Sequence, residues 1–496
     1  MDAQKNSTQP RPRTLCKSFT IYGLPVVVVF AAVWFSLIKS DFYTTQYLRL
    51  NFSPRNTNLF GTLFWNPFRR PDYDGVRDTQ KSVSSPKPHF CVLWMAPFLS
   101  GGGYSSEAWS YITAIQDNIK NPLFRLAIEQ HGDLVSIAFW EGLPEYMRKM
   151  AFELHGTQCS MNETVVICHS EPGAWYPPLF DTLPCPPSGN YGDFLAVIGR
   201  TMFETDRVNH EHVERCNSMD YVWVPTEFHV STFVKSGVKA SKVVKVVQSV
   251  DVEFFDPFKY QSLDLVPLRE LVLGKKSRAG GSEKEFVFLS IFKWEYRKGW
   301  DVLLRAYLEE FSGADGVALY LLTNPFHTDN DFSNKIVEFV EDSGIERPDS
   351  GWARVYVIDK HIPQVDLPRL YRSANVFVLP SRGEGWGRPL VEAMSMSLPV
   401  IATNWSGPTE YLTEENGYPL TVDKMGEVKE GPFKGHLWAE PSVDKLRRLM
   451  RHVMTNADEA RVKGVQARKD MISRFSPKNV AEIVSNLIST VLNERA

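Results

Sequence analysis

Cysteine is scarce in this chain. Six are scattered through 496 residues, too few for a disulfide scaffold, and none has the spacing of a zinc site. Cys91 and Cys168 lie in apolar, strand-like runs and read as plain core residues, while Cys159, Cys185 and Cys216 sit in more polar contexts where one pair can be bridged. An excess of one charge is also missing. The formal net charge is −3 and the pI about 6.4, so no basic face for nucleic acid is expected. No glycine turn ends in the Gly-Lys-Ser/Thr of a P-loop, none has the G-x-G-x-x-G spacing of a dinucleotide fold, and no short-period repeat is visible. The chain is too long for one ordinary core, and two large domains are expected.

One uncharged apolar run, residues 19–38, has membrane-spanning length. Arg11, Arg13 and Lys17 precede it; Lys39 and Asp41 follow. The positive-inside rule makes residues 1–18 a cytosolic tail and 19–38 a transmembrane signal anchor, with the body in the lumen. That describes a single-pass type II membrane protein of the Golgi, with the endoplasmic reticulum as the alternative. The length of the run and its flank Ser36-Leu37-Ile38 argue against a cleaved signal peptide. Asn51, Asn162 and Asn404 head glycan-acceptor triplets. Residues 39–86, rich in Asn, Pro, Arg, Asp and Ser, read as a stem whose Phe60, Phe64 and Trp65 can dock on the body.

Beyond the stem, strand-like runs alternate with helical patterns, the signature of an α/β fold with mostly parallel sheets. Residues 90–96, 134–139, 164–168, 195–199 and 221–224 give a first domain, 87–255. Residues 256–284, with Lys275, Lys276, Arg278 and Lys284 around small residues, read as a linker. Runs at 286–290, 316–322, 355–358, 376–379 and 399–403 give a second domain, 285–475, with helices expected over 300–311 and 331–342. The last segment, 476–496, holds an apolar-periodic helix expected to pack back on the first domain.

The stretch from Ser381 to Ala393 follows the buried strand 376–379 and combines a Gly-rich turn, a helix start at Pro389 and two carboxylates, Glu384 and Glu392, eight residues apart. A carboxylate accepts two hydrogen bonds from vicinal hydroxyls, and backbone N–H groups at Gly385, Trp386 and Gly387 can approach oxygen atoms closely. Lys293, Arg297 and Lys298 follow another strand and suit a departing diphosphate. Gly101, Gly102 and Gly103 open a strand–turn–helix unit in which Ser105 or Ser106 can cap the helix. His169, and beside it Glu171, follow the strand 164–168 as candidate sugar contacts; Asn404, Ser406, Gly407 and Glu410 can shape the pocket wall.

The block from Glu384 to Ala393, with Leu398-Pro399-Val400-Ile401-Ala402, Ser406-Gly407-Pro408-Thr409-Glu410 and Asn416-Gly417, resembles glycosyltransferase family 4 of the GT-B superfamily. The likeness spans residues 90–475 and is strongest in the second half. It implies two Rossmann-like domains with an interdomain cleft, and metal-independent transfer of a hexose from a nucleotide-diphosphate sugar to a hydroxyl acceptor (glycan, protein or lipid) with retained anomeric configuration. No resident cofactor or metal is implied. By resemblance, Glu392 engages the nucleotide ribose, Glu384 faces the donor sugar, Lys298 binds diphosphate, Gly102 approaches the donor and His169 lies near the transferred sugar. Two positions depart from the pattern. Phe292 stands where a basic partner of Lys298 is usual, with Lys293 next to it, and Gln248-Ser249 replaces the usual Asn-Gly before Val250-Asp251. These departures keep open a nucleotide-sugar-binding pseudoenzyme or scaffold; a nucleotide-sugar hydrolase or phosphorylase is a further enzyme alternative.

Overall fold

The computed structural model describes residues 90–120, 122–275, 285–325 and 330–495. The expected tail, anchor and stem lie outside the described residues, as do Cys16, Asn51, Lys276, Arg278 and Lys284. Among the described residues no helix is long and apolar enough to cross a membrane.

Two sheets organise the fold. The strands β1 (Phe90–Ala96), β2 (Phe124–Gln130), β3 (Thr164–His169), β4 (Ala196–Arg200), β5 (Tyr221–Val224) and β6 (Val243–Lys245) form a parallel sheet in the order β2-β1-β3-β4-β5-β6. The second sheet contains β7 (Glu270–Leu273), β8 (Phe286–Trp294), β9 (Val317–Pro325), β10 (Arg354–Ile358), β11 (Val376–Leu379), β12 (Val400–Thr403) and β13 (Tyr418–Leu420), ordered β13-β12-β11-β8-β9-β10-β7. All its pairs are parallel except β7 on β10. A hairpin, β14 (Val422–Glu427) with β15 (Leu437–Pro441), follows. Every residue of β3, β4, β11 and β12 is buried, as expected of parallel strands covered by helices on both faces.

Each sheet winds outward in both directions from one strand. In the first, the chain goes from β1 to β2 on one side and returns to β3 on the other; in the second, it runs β8-β9-β10 and then restarts at β11 beside β8. The loops after β1 and β3, and those after β8 and β11, therefore flank the two crevices where an open parallel sheet holds ligands.

Several expectations need correction. Residues 134–139 are not a strand: Ser136 Oγ accepts from Phe139 N (3.3 Å) and caps the helix Ile137–Gly142, and Leu134 is 91% exposed. The real strand, β2, carries Arg125 and Glu129 on the sheet edge, which hide its apolar alternation. The tract read as a linker contains β7, and Phe255 and Leu265 are already part of the second core. The helix Gly103–Asn118 begins at the glycines with Gly102 as its N-cap, so Ser105 and Ser106 lie inside it and cap nothing. The last helix, Pro477–Arg495, packs along that same helix of the first domain.

The cysteine reading changes most. Cys91 pairs with Cys159 and Cys168 with Cys185, so each supposed core cysteine is bridged to one from a polar loop. Cys216 is a buried free thiol whose pKa burial pushes up. Digestion without reductant is expected to yield both bridge-linked peptides. Replacing Cys91 and Cys159 together by Ser should lower the unfolding free energy in a urea titration by about 2–4 kcal/mol, because a long loop is no longer closed in the unfolded chain; an unchanged midpoint would contradict this.

Candidate active site

The two crevices face each other across a cleft of about 660 Å³. Gly103, Tyr104, Glu171, Met202, Phe203, Glu204 and Gln248 line it from the first domain. Lys293, Arg297, Lys298, Thr323, Glu384, Gly385, Trp386, Gly387 and Arg388 are among those lining it from the second. Thus Glu384, Lys298, Lys293, Arg297, Gly103 and the turn Gly385-Trp386-Gly387 are brought together.

The wall from the second domain is built around one ion pair. Lys298 Nζ donates to Glu384 Oε1 (2.7 Å) and Oε2 (2.9 Å), and Arg297 stands 3.8 Å from Oε2. Burial opposes ionisation of Glu384, but the charges of Lys298 and Arg297 outweigh it and hold the carboxyl below the usual range. Ser406 Oγ accepts from Glu384 N (2.9 Å), and Gly407 N donates to Glu384 O (2.9 Å), so the loop after β12 supports the turn. Gly299, at φ +67°, ends the short turn Tyr296–Lys298 and starts the helix Trp300–Glu310; a Cβ there would collide with Pro380 O. This contact sets the Lys298 loop against the Glu384 loop.

Arg382 ties these loops together. The residue is 1% exposed, and its guanidinium donates bidentately to Asp301 (2.8 Å twice), through Nε to Glu440 (3.1 Å), and to Tyr296 O (2.7 Å). Its backbone N donates to Arg297 O (2.7 Å), and Ala439 N donates to its carbonyl (2.9 Å).

At the altered clamp position Phe292 is buried against Trp294, with ring centroids 6.0 Å apart, and Lys293 next to it is exposed; both are among the residues lining the cleft. Lys293 lies within β8, not after it as the sequence suggested. Glu392 is not among the residues lining the cleft. It lies one turn along the helix Arg388–Ser395, accepts from Tyr371 Oη (2.9 Å), and has its pKa raised by burial, with Arg388 opposing.

His169 does not serve as expected. Its ring is fully buried; Nδ1 accepts from Trp94 Nε1 (3.0 Å) and Nε2 faces Glu107 Oε2 (3.0 Å). Both nitrogens are used by protein partners, so the ring has none left for a sugar. Glu107 also accepts from Arg200 Nε (2.9 Å). Burial opposes its charge, but Arg200 and His169 overcome that and lower its pKa to about 2. The group fastens the Gly103 helix to the ends of β3 and β4. Gly102 is also absent from the lining; its N donates to Ser100 Oγ (3.4 Å), and Gly103 is the glycine at the cleft. Glu410 bridges to the first domain instead, 3.0 Å from Lys245 Nζ.

Sequence reasoning missed Glu204, Asn324, Lys360 and Phe433, found His361 unpersuasive on its own, and gave no role to Arg388 within its motif. Asn324, Lys360 and His361 stand at or just after the C-terminal ends of β9 and β10, where the strand-end rule points. Glu204 and Phe433 carry no local signal. Among the described residues, Gln248 Oε1, Thr323 Oγ1 and Trp386 Nε1 are buried at this wall without a protein partner, and no group of three or more His, Cys, Asp or Glu is placed to hold a metal ion.

Residues 283–429 match the family model described as "Glycosyl transferases group 1". The fold is that of the GT-B glycosyltransferases. The chain superimposes on Anabaena HepE in complex with UDP and glucose with a TM-score of 0.57 at 13% identity, covering 81% of this chain and 100% of that one. Sucrose-phosphate synthase from Thermosynechococcus elongatus gives 0.52 at 12% identity, covering 82% and 100%. Sequence relatives include O-antigen chain mannosyltransferase B of Escherichia coli, 46% identical over 54 residues, or 11% of this chain and 13% of that one. Capsular polysaccharide biosynthesis glycosyltransferase CapM of Staphylococcus aureus is 30% identical over 28% of this chain and 31% of its own. Mannosylfructose-phosphate synthase of Agrobacterium fabrum is 25% identical over 46% of this chain and 48% of its own. The matches thus span less than half of the length of these relatives.

Lys298→Ala should lower the unfolding free energy by about 3 kcal/mol, because it leaves Glu384 buried without its closest counter-charge; combining it with Glu384→Gln should recover most of that loss. A double-variant cycle by chemical unfolding reads the coupling, and simple additivity would contradict it. Because the folded pKa of Glu384 is depressed, its contribution is present above the unfolded carboxylate range, near pH 4.3, and disappears as pH falls through the lower folded value. Glu384→Gln should flatten that acid limb. His169→Phe should cost about 2–3 kcal/mol of stability, measured the same way, because Trp94 and Glu107 lose their partner.

Proposed function

We propose that the chain is a retaining, metal-independent glycosyltransferase that moves a hexose from a nucleotide-diphosphate sugar to a hydroxyl acceptor. The observation that carries this reading is the convergence of Glu384, Lys298, Arg297 and Lys293 on one wall of an interdomain cleft opposite Gly103, Tyr104 and Glu171. Breaking the anomeric bond leaves negative charge on the diphosphate. Lys298, Arg297 and Lys293 supply fixed positive charge there without a metal ion, and the N–H groups of the 385–387 turn add donors. Glu384, ionised and clamped, suits hydroxyls of the donor sugar; Glu392 suits the ribose if the chain bearing Arg388 and Pro389 shifts when nucleotide enters. The acceptor oxygen bonds to the anomeric carbon from the face the diphosphate leaves, as the bond to the phosphate oxygen breaks. Its proton passes to the departing diphosphate. This route retains configuration and requires no covalent enzyme intermediate. Domain closure excludes water, the competing acceptor. Lys293 at the cleft and Gln248 with an unpartnered oxygen beside it favour an active enzyme over a silent scaffold.

The same proposal places the body in the lumen of the secretory pathway, in the Golgi, held by residues 19–38. Two disulfides favour an oxidising compartment, and the exposed position of Asn162 suits a glycan.

The deciding experiment incubates the full chain with uridine, guanosine and adenosine diphosphate sugars and an acceptor panel, and assigns the anomer of the product by NMR. Transfer should persist in EDTA, and Glu384→Gln or Lys298→Ala should lower kcat by about 10²–10³-fold. Free sugar accumulating with no glycosidic product under any acceptor would overturn the transferase reading in favour of a hydrolase.

A further inference from the structure

The hairpin β14–β15 starts in the second domain, yet the loop between its strands rests on the first. Asp206 N donates to Leu437 O (2.9 Å) and Leu437 N to Asp206 Oδ1 (2.6 Å). Thr205 Oγ1 and His436 Nδ1 are 2.9 Å apart, and Asn209 Nδ2 donates to Pro432 O (3.3 Å). These bonds seat Phe433 edge-on against Phe203 (centroids 5.2 Å apart) and near His212 (6.5 Å), and both phenylalanines line the cleft. Phe433 lies beyond the family match, which ends at residue 429.

Beside this aromatic pair stand two carboxylates. Glu171 Oε1 is 3.9 Å from His212 Nε2, an imidazole whose pKa burial, and then Arg215, depress to about 4, so that it is neutral near pH 7 and no counter-ion for Glu171. Glu204 is 3.7 Å from Arg297, the same guanidinium that lies 3.8 Å from Glu384. The aromatic and acidic wall therefore adjoins the proposed donor site. Burial, then Asp133 and Glu204, raise the pKa of Glu171, and a pair of carboxyl groups suits neither a diphosphate nor an alkyl chain. An apolar ring face next to hydroxyl-accepting carboxylates matches a neutral pyranose, with a C–H face and a belt of hydroxyl donors.

Resting on the transferase reading, we infer that the tip of the β14–β15 hairpin completes the acceptor subsite and that the acceptor is a sugar ring. Phe433 packs on its C–H face, while Glu171 and Glu204 accept from its hydroxyls. Phe433 is thus a specificity residue supplied by the domain that binds the donor.

The test uses the full chain. Calorimetry with UDP, GDP and ADP reports the donor site, and transfer assays compare simple glycosides, the same sugars on a lipid carrier, and hydroxyl-bearing peptides without sugar. Phe433→Ala and Glu171→Gln should each raise the acceptor KM about tenfold or more while nucleotide affinity and donor KM stay within about twofold, and Phe433→Tyr should restore the acceptor KM. Equal use of a glycoside free or lipid-linked supports the inference. With nucleotide binding intact, acceptor KM values indifferent to Phe433→Ala, or transfer only to sugar-free peptides or lipids, would overturn it and leave the transferase reading standing. Failure of the unaltered chain to bind any of the nucleotides would remove both.

Discussion

A guanidinium removed from water must be surrounded by acceptors, and Arg382 meets that demand with groups from three other segments. Asp301 comes from the helix after the Lys298 turn, Tyr296 from the turn itself, Glu440 from the returning strand of the hairpin, and Arg382 itself from the Glu384 loop. The Tyr296 ring lies 3.7 Å from the guanidinium carbon and closes the remaining face. Burying such a charge is unfavourable unless every partner is in place, so the arrangement strongly disfavours alternatives in which one segment drifts. Lys298 and Glu384 meet because the backbones that carry them are fixed through this residue. The same network reaches β15, so the position of the hairpin on the first domain and the shape of the wall carrying Lys298 and Glu384 share one mechanical connection.

The sequence made the second domain more legible than the first, for a physical reason. Strands β11 and β12 and the first residues of β8 and β9 are apolar on both faces and leave clear runs, and the turn after β11 is dense in glycine because the loops approach too closely for a Cβ. Edge strand β2 faces partly outward and admits Arg125 and Glu129, so it lost its signal to the exposed stretch at 134–139. Strand β7 suffered in the same way, as an antiparallel edge embedded in a polar tract. Disulfide pairing was hidden because it depends on which loop returns over which strand. His169 shows a different limit: a polar residue at a strand end reads as a site residue, but the direction of its side chain comes from Trp94 and Glu107, distant in sequence. Phe433 and Glu204 acquire meaning only when the hairpin crosses the cleft.

The cleft itself follows from the winding of the two sheets. Each reversal of strand order leaves a crevice between diverging loops, and the two crevices become one site only if the domains are held face to face. Two kinds of tie hold them. The chain crosses between domains near Val250 and again near Phe475, and Val250 N donates to Phe475 O (2.9 Å), so the crossings brace each other. The Lys245–Glu410 pair and the bonds between Asp206 and Leu437 and between Thr205 and His436 form the second kind. Each of the latter contributes only about 0.5–1.5 kcal/mol net, whereas parting either core would expose dozens of buried apolar side chains. Separating the domains at the cleft margin would therefore cost these polar contacts and the Phe203–Phe433 ring contact, and would leave the crossings and both cores intact. Those weak ties fix Phe433 and, through β15, the Arg382 network against the first domain, so the contacts that are easiest to break also set the geometry of the cleft.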